Sequence, residues 1–564
     1  MLFIFLSWIY IFITAKNLGI LFTKIFKIKS CNPTILQVLG LFFYAIITSF
    51  FAFFIRIHIE YYVFILCLNI LLTYSFREPI KAYWHTILLS FKKLKMPYKM
   101  LYLFLFIVIL AQGSTKPYLI DNETYYIQTI KWINEFGFVK GLANVHMFLG
   151  QNSSWHILQA GFNFPFISNF YNDLNGYLFV IFSFLSVEKL SNYKEDIQDF
   201  GLGLILLFSL FFMQFVNAPS PDLAIFLITP YIFYLFIKKY KSICTTDFKI
   251  ILSLVLFLCF VKVTMVVLSV LVIILFIKHY NILKRGIWSY SFLSMTVLGL
   301  FIAKNIVISG YLFYPISQID IVNFDWKVPK ELLKFYKLGT YLEGMSNIDV
   351  SQLSFFETVK VWLTLPKLDG LFNKAFVILL IVFPWVIYKN KDKSSLLIIY
   401  ILAILQLILL WFTSPQYRFF FVFVAFLAIQ LFVTFIQSKK VGLYMVSFAV
   451  ILSAIPFFIP INLNAFTNNN FAMGLHTFQL KNIIIPEENS KTDTKFAKHV
   501  IDDFEFYSPS EDAFFWVTGD GDLPCVNKKQ IEYMKYYFNY VPRKRTDNLK
   551  DGFKSIVVEK TIKN

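Results

Sequence analysis

Long apolar runs alternate with short basic connections over most of the chain. At about 20 helical residues per crossing of a hydrocarbon core about 30 Å thick, the runs predict membrane spans. These fall at 2–23, 35–56, 59–75, 100–112, 174–188, 200–216, 223–237, 250–261, 263–277, 287–308, 375–388, 395–412, 417–436 and 441–460. Apolar and polar positions do not alternate within the runs, so helices that satisfy their own backbone hydrogen bonds are expected and a membrane β-barrel is not. The first run lacks the basic leader and small-residue cleavage site of a secretory signal, and reads as a retained span.

The connections orient these spans. Lys24, Lys27 and Lys29 follow the first; Arg77, Lys81, Lys92, Lys93, Lys95 and Lys99 follow the third; Lys238, Lys239, Lys241 and Lys249 follow the seventh. Later clusters are Lys278, Lys284 and Arg285, then Lys389, Lys391 and Lys393, then Lys439 and Lys440. The positive-inside rule puts all of them in the cytoplasm. Successive inside clusters must be separated by an even number of crossings, so the interval 250–277, bounded by Lys249 and Lys278, has to hold two short spans. They are expected to turn near 259–264, with Lys262 at the apex close to the outer face.

Both termini are then extracytoplasmic, and the long polar segments fall outside: 113–174, 217–222, 309–374, 413–416 and 461–564. The expected organisation is an all-α polytopic domain, 1–460, of about 12–14 transmembrane helices, followed by a small extracytoplasmic α/β segment, 461–564. The latter includes a strand-like run at 514–517.

Composition supports a lipid solvent, with 58% hydrophobic and only 15% charged residues. The net charge of +18 is scattered through the connections, so it reports topology and not a nucleic-acid partner. The five cysteines imply no disulfide framework, and no His/Cys/Asp cluster has metal-ligand spacing. Neither a phosphate-binding Gly-Lys loop nor a dinucleotide fingerprint is present. No cofactor is expected, and a metal requirement stays open.

Candidate chemistry concentrates in 118–162. Apolar Tyr126, Ile127, Ile130, Ile133 and Phe136 recur at helical spacing with Gln128, Lys131 and Asn134 between them, predicting a short amphipathic helix in the outer interface, ended by Gly137. Asp121 and Glu123 stand at its start, where partial desolvation suits a carboxylate to general-base work. The plainer alternative is that Asp121 caps the helix and Glu123 pairs with Lys131. Gln128, close to the two acids, is a candidate substrate contact, and His146, Asn152 and Trp155 follow in a polar and aromatic setting suited to a sugar or acceptor. Lys262, Lys304 and Arg418 lie at the same expected depth, as phosphate-binding candidates or as snorkelling cations. Asp222, in Asn217-Ala-Pro-Ser-Pro-Asp222, is a second carboxylate or a cap.

An early outer loop with an acid ahead of a juxtamembrane helix, short middle spans, the segment 304–315 and Pro415-Gln-Tyr-Arg418 resemble the GT-C glycosyltransferase superfamily. DNETYYIQTIKW, GLANVHMFLGQNSSWH, APSPD and GDGDLPC are similar to a bacterial polytopic membrane-protein family of GT-C-like layout. The resemblance implies a GT-C-like bundle in the bacterial inner membrane. It also implies a polyprenyl-phosphate-linked sugar as donor substrate and an envelope lipid or glycan as acceptor. The base would be Asp121, or alternatively Glu123, and outer basic residues such as Arg418 and Lys262 would hold phosphate. Asn122 separates the two acids, where many GT-C members have them paired. An O-antigen-type polymerase or ligase, and a non-enzymatic transporter or flippase of a lipid-linked substrate, are the competing functions.

Overall fold

The computed structural model describes residues 1–564 apart from 118, 169–172, 195, 463–465, 467–476, 491–494, 511–512 and 559–564. Helices dominate. Nine are long and apolar enough to cross a membrane among the described residues: Leu2–Ile25, Pro33–Ala52, Met96–Gly113, Pro221–Lys239, Tyr280–Ser309, Lys367–Lys389, Lys393–Trp411, Tyr417–Phe435 and Lys439–Phe457. A tenth would be the pair Ile59–Ser75 and Arg77–Lys93, bent by 85°. Ile70, Leu71, Phe292, Met295 and Ile381 keep large apolar side chains exposed, as lipid-facing surfaces do.

The count falls short of the fourteen expected spans because several apolar runs are short, broken or polar. The run at 200–216 is split into Ile197–Gly203, a 3-10 turn Leu204–Phe208, and Ser209–Met213. Leu174–Asn192 carries Glu188 and Lys189 in its last turns. The interval expected to hold two short spans is a hairpin: Thr245–Val261, then Lys262, then the 3-10 turn Val263–Leu268 and the helix Ser269–Lys278.

Glycine sets the tightest helix contact. A Cβ on Gly40 would lie 1.8 Å from the Ala15 carbonyl oxygen, and one on Gly19 would lie 2.2 Å from that of Leu36, so Leu2–Ile25 and Pro33–Ala52 pack backbone to backbone.

The bundle has two chemically distinct ends. At one, Lys189 meets Asp199, Lys238 meets Asp196, Lys239 meets Asp247 and Lys241 meets Asp392, while Lys249 and Lys439 cap the carbonyls of Phe26 and Ser191. These are the basic connections. At the other end the long polar segments interlock. The Met1 amine donates to the Asn482 carbonyl, Asn217 to the carbonyl of Lys116, Ser153 to that of Val261, and Trp362 to that of Pro415.

The C-terminal segment carries two antiparallel ladders, Ala497–Ile501 with Phe504–Ser508 and Tyr540–Lys544 with Phe553–Val557, and the helix Lys528–Phe538. The run at 514–517 is not a strand. Phe553 donates to the Lys140 carbonyl and Ser555 to the Asn144 side chain, so the segment is seated on the first long loop.

Candidate functional site

The helix expected to lie in the interface is instead enclosed. A π-helical turn, Asn122–Tyr126, leads into Ile127–Phe136, and Gln128, Thr129 and Asn134 are as buried as Ile127 and Ile130. Its polar face meets protein: Gln128 and Lys131 bond the C-terminal segment, and Asn134 donates to the carbonyls of Ile57 and Ala160. Gly137 ends it at φ 74°, where a Cβ would strike the Ala52 carbonyl at 2.4 Å.

Asp121 makes no capping bond. Its carboxylate forms an ion pair with Arg418, and the Tyr126 hydroxyl donates to the same oxygen at 3.3 Å. A π turn joins residue i to i+5, which stacks Tyr126 under Asp121 where an α turn would carry it round the helix.

Arg418 is aimed from the other side. Pro415 precedes the helix Tyr417–Phe435, and the turn is pinned by Trp362 Nε1 to the Pro415 carbonyl at 2.9 Å and Ser414 Oγ to the Thr340 carbonyl at 2.8 Å. The Gln416 side chain accepts from Arg418 Nε at 2.7 Å and donates to Glu343 at 3.3 Å, which orients the guanidinium.

A second ion pair lies alongside. Ser220 caps the helix Pro221–Lys239 by accepting from the Asp222 N–H, leaving the Asp222 carboxylate to take Lys262 Nζ at 2.5 Å. The backbone before Lys262 is held by Ser153 Oγ on the Val261 carbonyl at 2.6 Å. Phe419 joins the pairs: Lys262 Nζ is 3.7 Å from its ring centre and the Arg418 guanidinium carbon 5.0 Å. The side chains of Arg418 and Lys262 stay 23% and 21% exposed, against 11% for Asp121 and 3% for Asp222. The cations are therefore reachable while the carboxylates are enclosed.

Four predicted residues thus converge: Asp121, Asp222, Lys262 and Arg418. Lys304 is buried, donates to the Asn152 carbonyl and has no acidic partner among the described residues. It does not snorkel. The remainder lie elsewhere. Glu123 does not pair with Lys131; its carboxylate accepts from Ser490 Oγ at 2.7 Å and Asn122 Nδ2 at 3.1 Å. Lys131 pairs with Asp520 at 3.2 Å. His146 reaches the Trp516 carbonyl at 3.3 Å, and Trp155 is a core residue donating to Asn175 at 2.6 Å.

Sequence reasoning missed Tyr126 as a polar group, together with Gln416, Phe419 and Glu343. The Gln416-Tyr-Arg418 spacing could have pointed to Gln416 and Phe419, and nothing local marked Glu343.

A multi-pass helical membrane protein with paired charges at one end of its bundle is the class so defined. The chain belongs to the family described as a domain of unknown function (DUF8201), whose model matches residues 1–425. That stretch contains all four converging residues and stops short of the C-terminal segment. No curated protein and no solved structure matches the chain.

Proposed function

We propose that the chain is a membrane glycosyltransferase of GT-C-like layout. It would move a sugar from a polyprenyl-phosphate carrier to an envelope lipid or glycan, in a bacterial inner membrane with the site end outward. The observation that carries this proposal is the meeting of Asp121 with Arg418 beside Lys262 and Asp222, two reachable cations next to an enclosed carboxylate.

In the transfer step Asp121 takes the proton of an acceptor hydroxyl, and the hydroxyl oxygen bonds to the anomeric carbon. The bond from that carbon to the carrier phosphate oxygen breaks, and its electron pair leaves with the phosphate. Arg418, with a planar fork suited to phosphate, and Lys262 neutralise the leaving group. Phosphate and Asp121 compete for Arg418, so donor binding would release the carboxylate for proton transfer. Between the two candidate bases, Glu123 is occupied by Ser490 and Asn122, which favours Asp121.

The test is transfer from a polyprenyl-phosphate-linked sugar in membranes carrying Asp121→Asn or Glu123→Gln. Loss of general-base catalysis is worth about 10²- to 10⁴-fold, and that loss is expected for Asp121→Asn alone. Transfer at the wild-type rate by Asp121→Asn would overturn the assignment. Loss of polymer ladders in a deletion strain, with single-residue transfer intact, would favour the polymerase alternative.

A further inference from the structure

The C-terminal segment does more than cover the first long loop: it grips the π turn that aims Asp121. The Thr518 and Gly519 N–H groups both donate to the Glu123 carbonyl, at 2.9 and 2.8 Å, and the Thr518 hydroxyl donates to the Thr124 carbonyl at 2.9 Å. Asn122 Nδ2 donates to the Asn489 carbonyl at 2.8 Å. Ser490 holds the Glu123 carboxylate at 2.7 Å. One turn further on, Gln128 Nε2 donates to the carbonyls of Gly521 at 2.8 Å and Gly519 at 3.2 Å. Gly519 has φ 57°, and a Cβ on Gly521 would lie 2.5 Å from Cys525 Sγ within the C-terminal segment itself, so both glycines set the local path of the turn whose carbonyls Gln128 meets.

π turns are rare and less favourable than α turns. This one is what stacks the Tyr126 hydroxyl against Asp121, and four successive residues of the turn region, 121–124, carry either the site carboxylate or bonds to the C-terminal segment.

We infer that Asn489, Ser490, Thr518, Gly519 and Gly521 form a positioning clamp for the Asp121 turn, with Thr518 and Gln128 as positioning residues and Glu123 as a structural anchor. Its functional consequence rests on the proposed role of Asp121; its structural consequence does not. Without the clamp the turn relaxes toward α geometry and Tyr126 swings away from the Asp121 carboxylate.

Two measurements on the full-length protein in detergent separate these layers. Amide hydrogen exchange over 122–127 is expected to rise several-fold in Thr518→Val and Gln128→Ala, and to return to wild type in Thr518→Ser, which keeps the hydroxyl. Exchange in Leu2–Ile25 and Pro33–Ala52 serves as the folding control and should not change. Unchanged exchange over 122–127 in both variants would overturn the clamp, as would failure of Thr518→Ser to restore it. In the sugar-transfer assay, Thr518→Val should lower kcat and leave the donor KM unaltered. A raised exchange rate with wild-type kcat would overturn the positioning role. Absence of transfer in the wild type would count against the proposed function and leave the exchange result standing.

Discussion

Arg418 and Asp121, separated by 297 positions in the chain, form an ion pair that ties the start of the first long loop to the start of the helix Tyr417–Phe435. The pair is enclosed on the carboxylate side and reachable on the guanidinium side. Removing one partner of such a pair is worse than removing both, because the survivor keeps its desolvation without its counter-charge. Arg418→Gln and Asp121→Asn are each expected to lower the melting temperature, and the double variant to lose less than the sum. Thermal unfolding in detergent around the full cycle should give a coupling of about 1–3 kcal/mol. Additive losses would mean that the two charges do not interact.

Lys262 and Asp222 make the second pair, and here the acid is the more buried partner at 3% exposure. Lys262→Met leaves Asp222 enclosed and unpaired, whereas Asp222→Asn leaves a lysine that still reaches water and the Phe419 ring. Lys262→Met is therefore expected to be the more destabilising of the two. Equal melting temperatures would show that burial does not set the asymmetry.

How much of this was readable from the chain depends on range. Asp121, Lys262 and Arg418 were found because an acid or a base beside an apolar run is conspicuous whatever its partner. Their pairing was not readable, because it is made between separate elements, 297 positions apart for Asp121 and Arg418 and 40 apart for Lys262 and Asp222. Glu123 and Gln128 looked like neighbours of Asp121 and were assigned to its chemistry. A π turn rotates side chains differently from an α turn, and their partners lie in the C-terminal segment. Each of the nine long apolar helices among the described residues overlaps a predicted run, and all but Tyr417–Phe435 extend past it at one or both ends, whereas the break at Leu204–Phe208 within 200–216 was not legible because an apolar run does not record a 3-10 turn. Lys304 was expected either to bind or to snorkel; its bond to the Asn152 carbonyl depends on a loop whose path no periodicity reports.

The contact between the first two helices offers a test of packing away from the site. Gly40 sits against the Ala15 carbonyl at a distance no Cβ can occupy. Gly40→Val must push Leu2–Ile25 away, and overpacking of this kind costs about 1–3 kcal/mol or more. The melting temperature should fall with Gly40→Val and fall less with Gly40→Ala. Gly299, whose Cβ would meet nothing within 4 Å, provides the control: Gly299→Ala should leave stability unchanged or slightly raised.

Acid is expected to loosen the contact between the first long loop and the C-terminal segment. His146 accepts from the Phe148 N–H through Nδ1 and bonds the Trp516 carbonyl through Nε2, so a proton on Nδ1 would face another N–H. Burial holds the His146 pKa down at about 4, from an ordinary 6.5. Between these values the unfolded chain binds a proton that the folded chain does not, so stability rises with pH across the window and is lost as pH falls through it. His156, held at about 3 by burial and by the nearby Lys304 charge, extends the loss further down. Asp173 works in the opposite sense. Burial raises it from 3.8 to about 6 against the bonds from Ser7 and Gln159, so its contribution is lost as pH rises through that interval. Burial also raises Asp520 and Glu343, which act in the same sense as Asp173, so the slopes of single variants, and not the sum, isolate the imidazole. Melting temperatures between about pH 7 and pH 4 should fall less steeply for His146→Asn than for the wild type, and more steeply for Asp173→Asn. A His146→Asn curve parallel to the wild type would remove this imidazole as a source of the acid sensitivity.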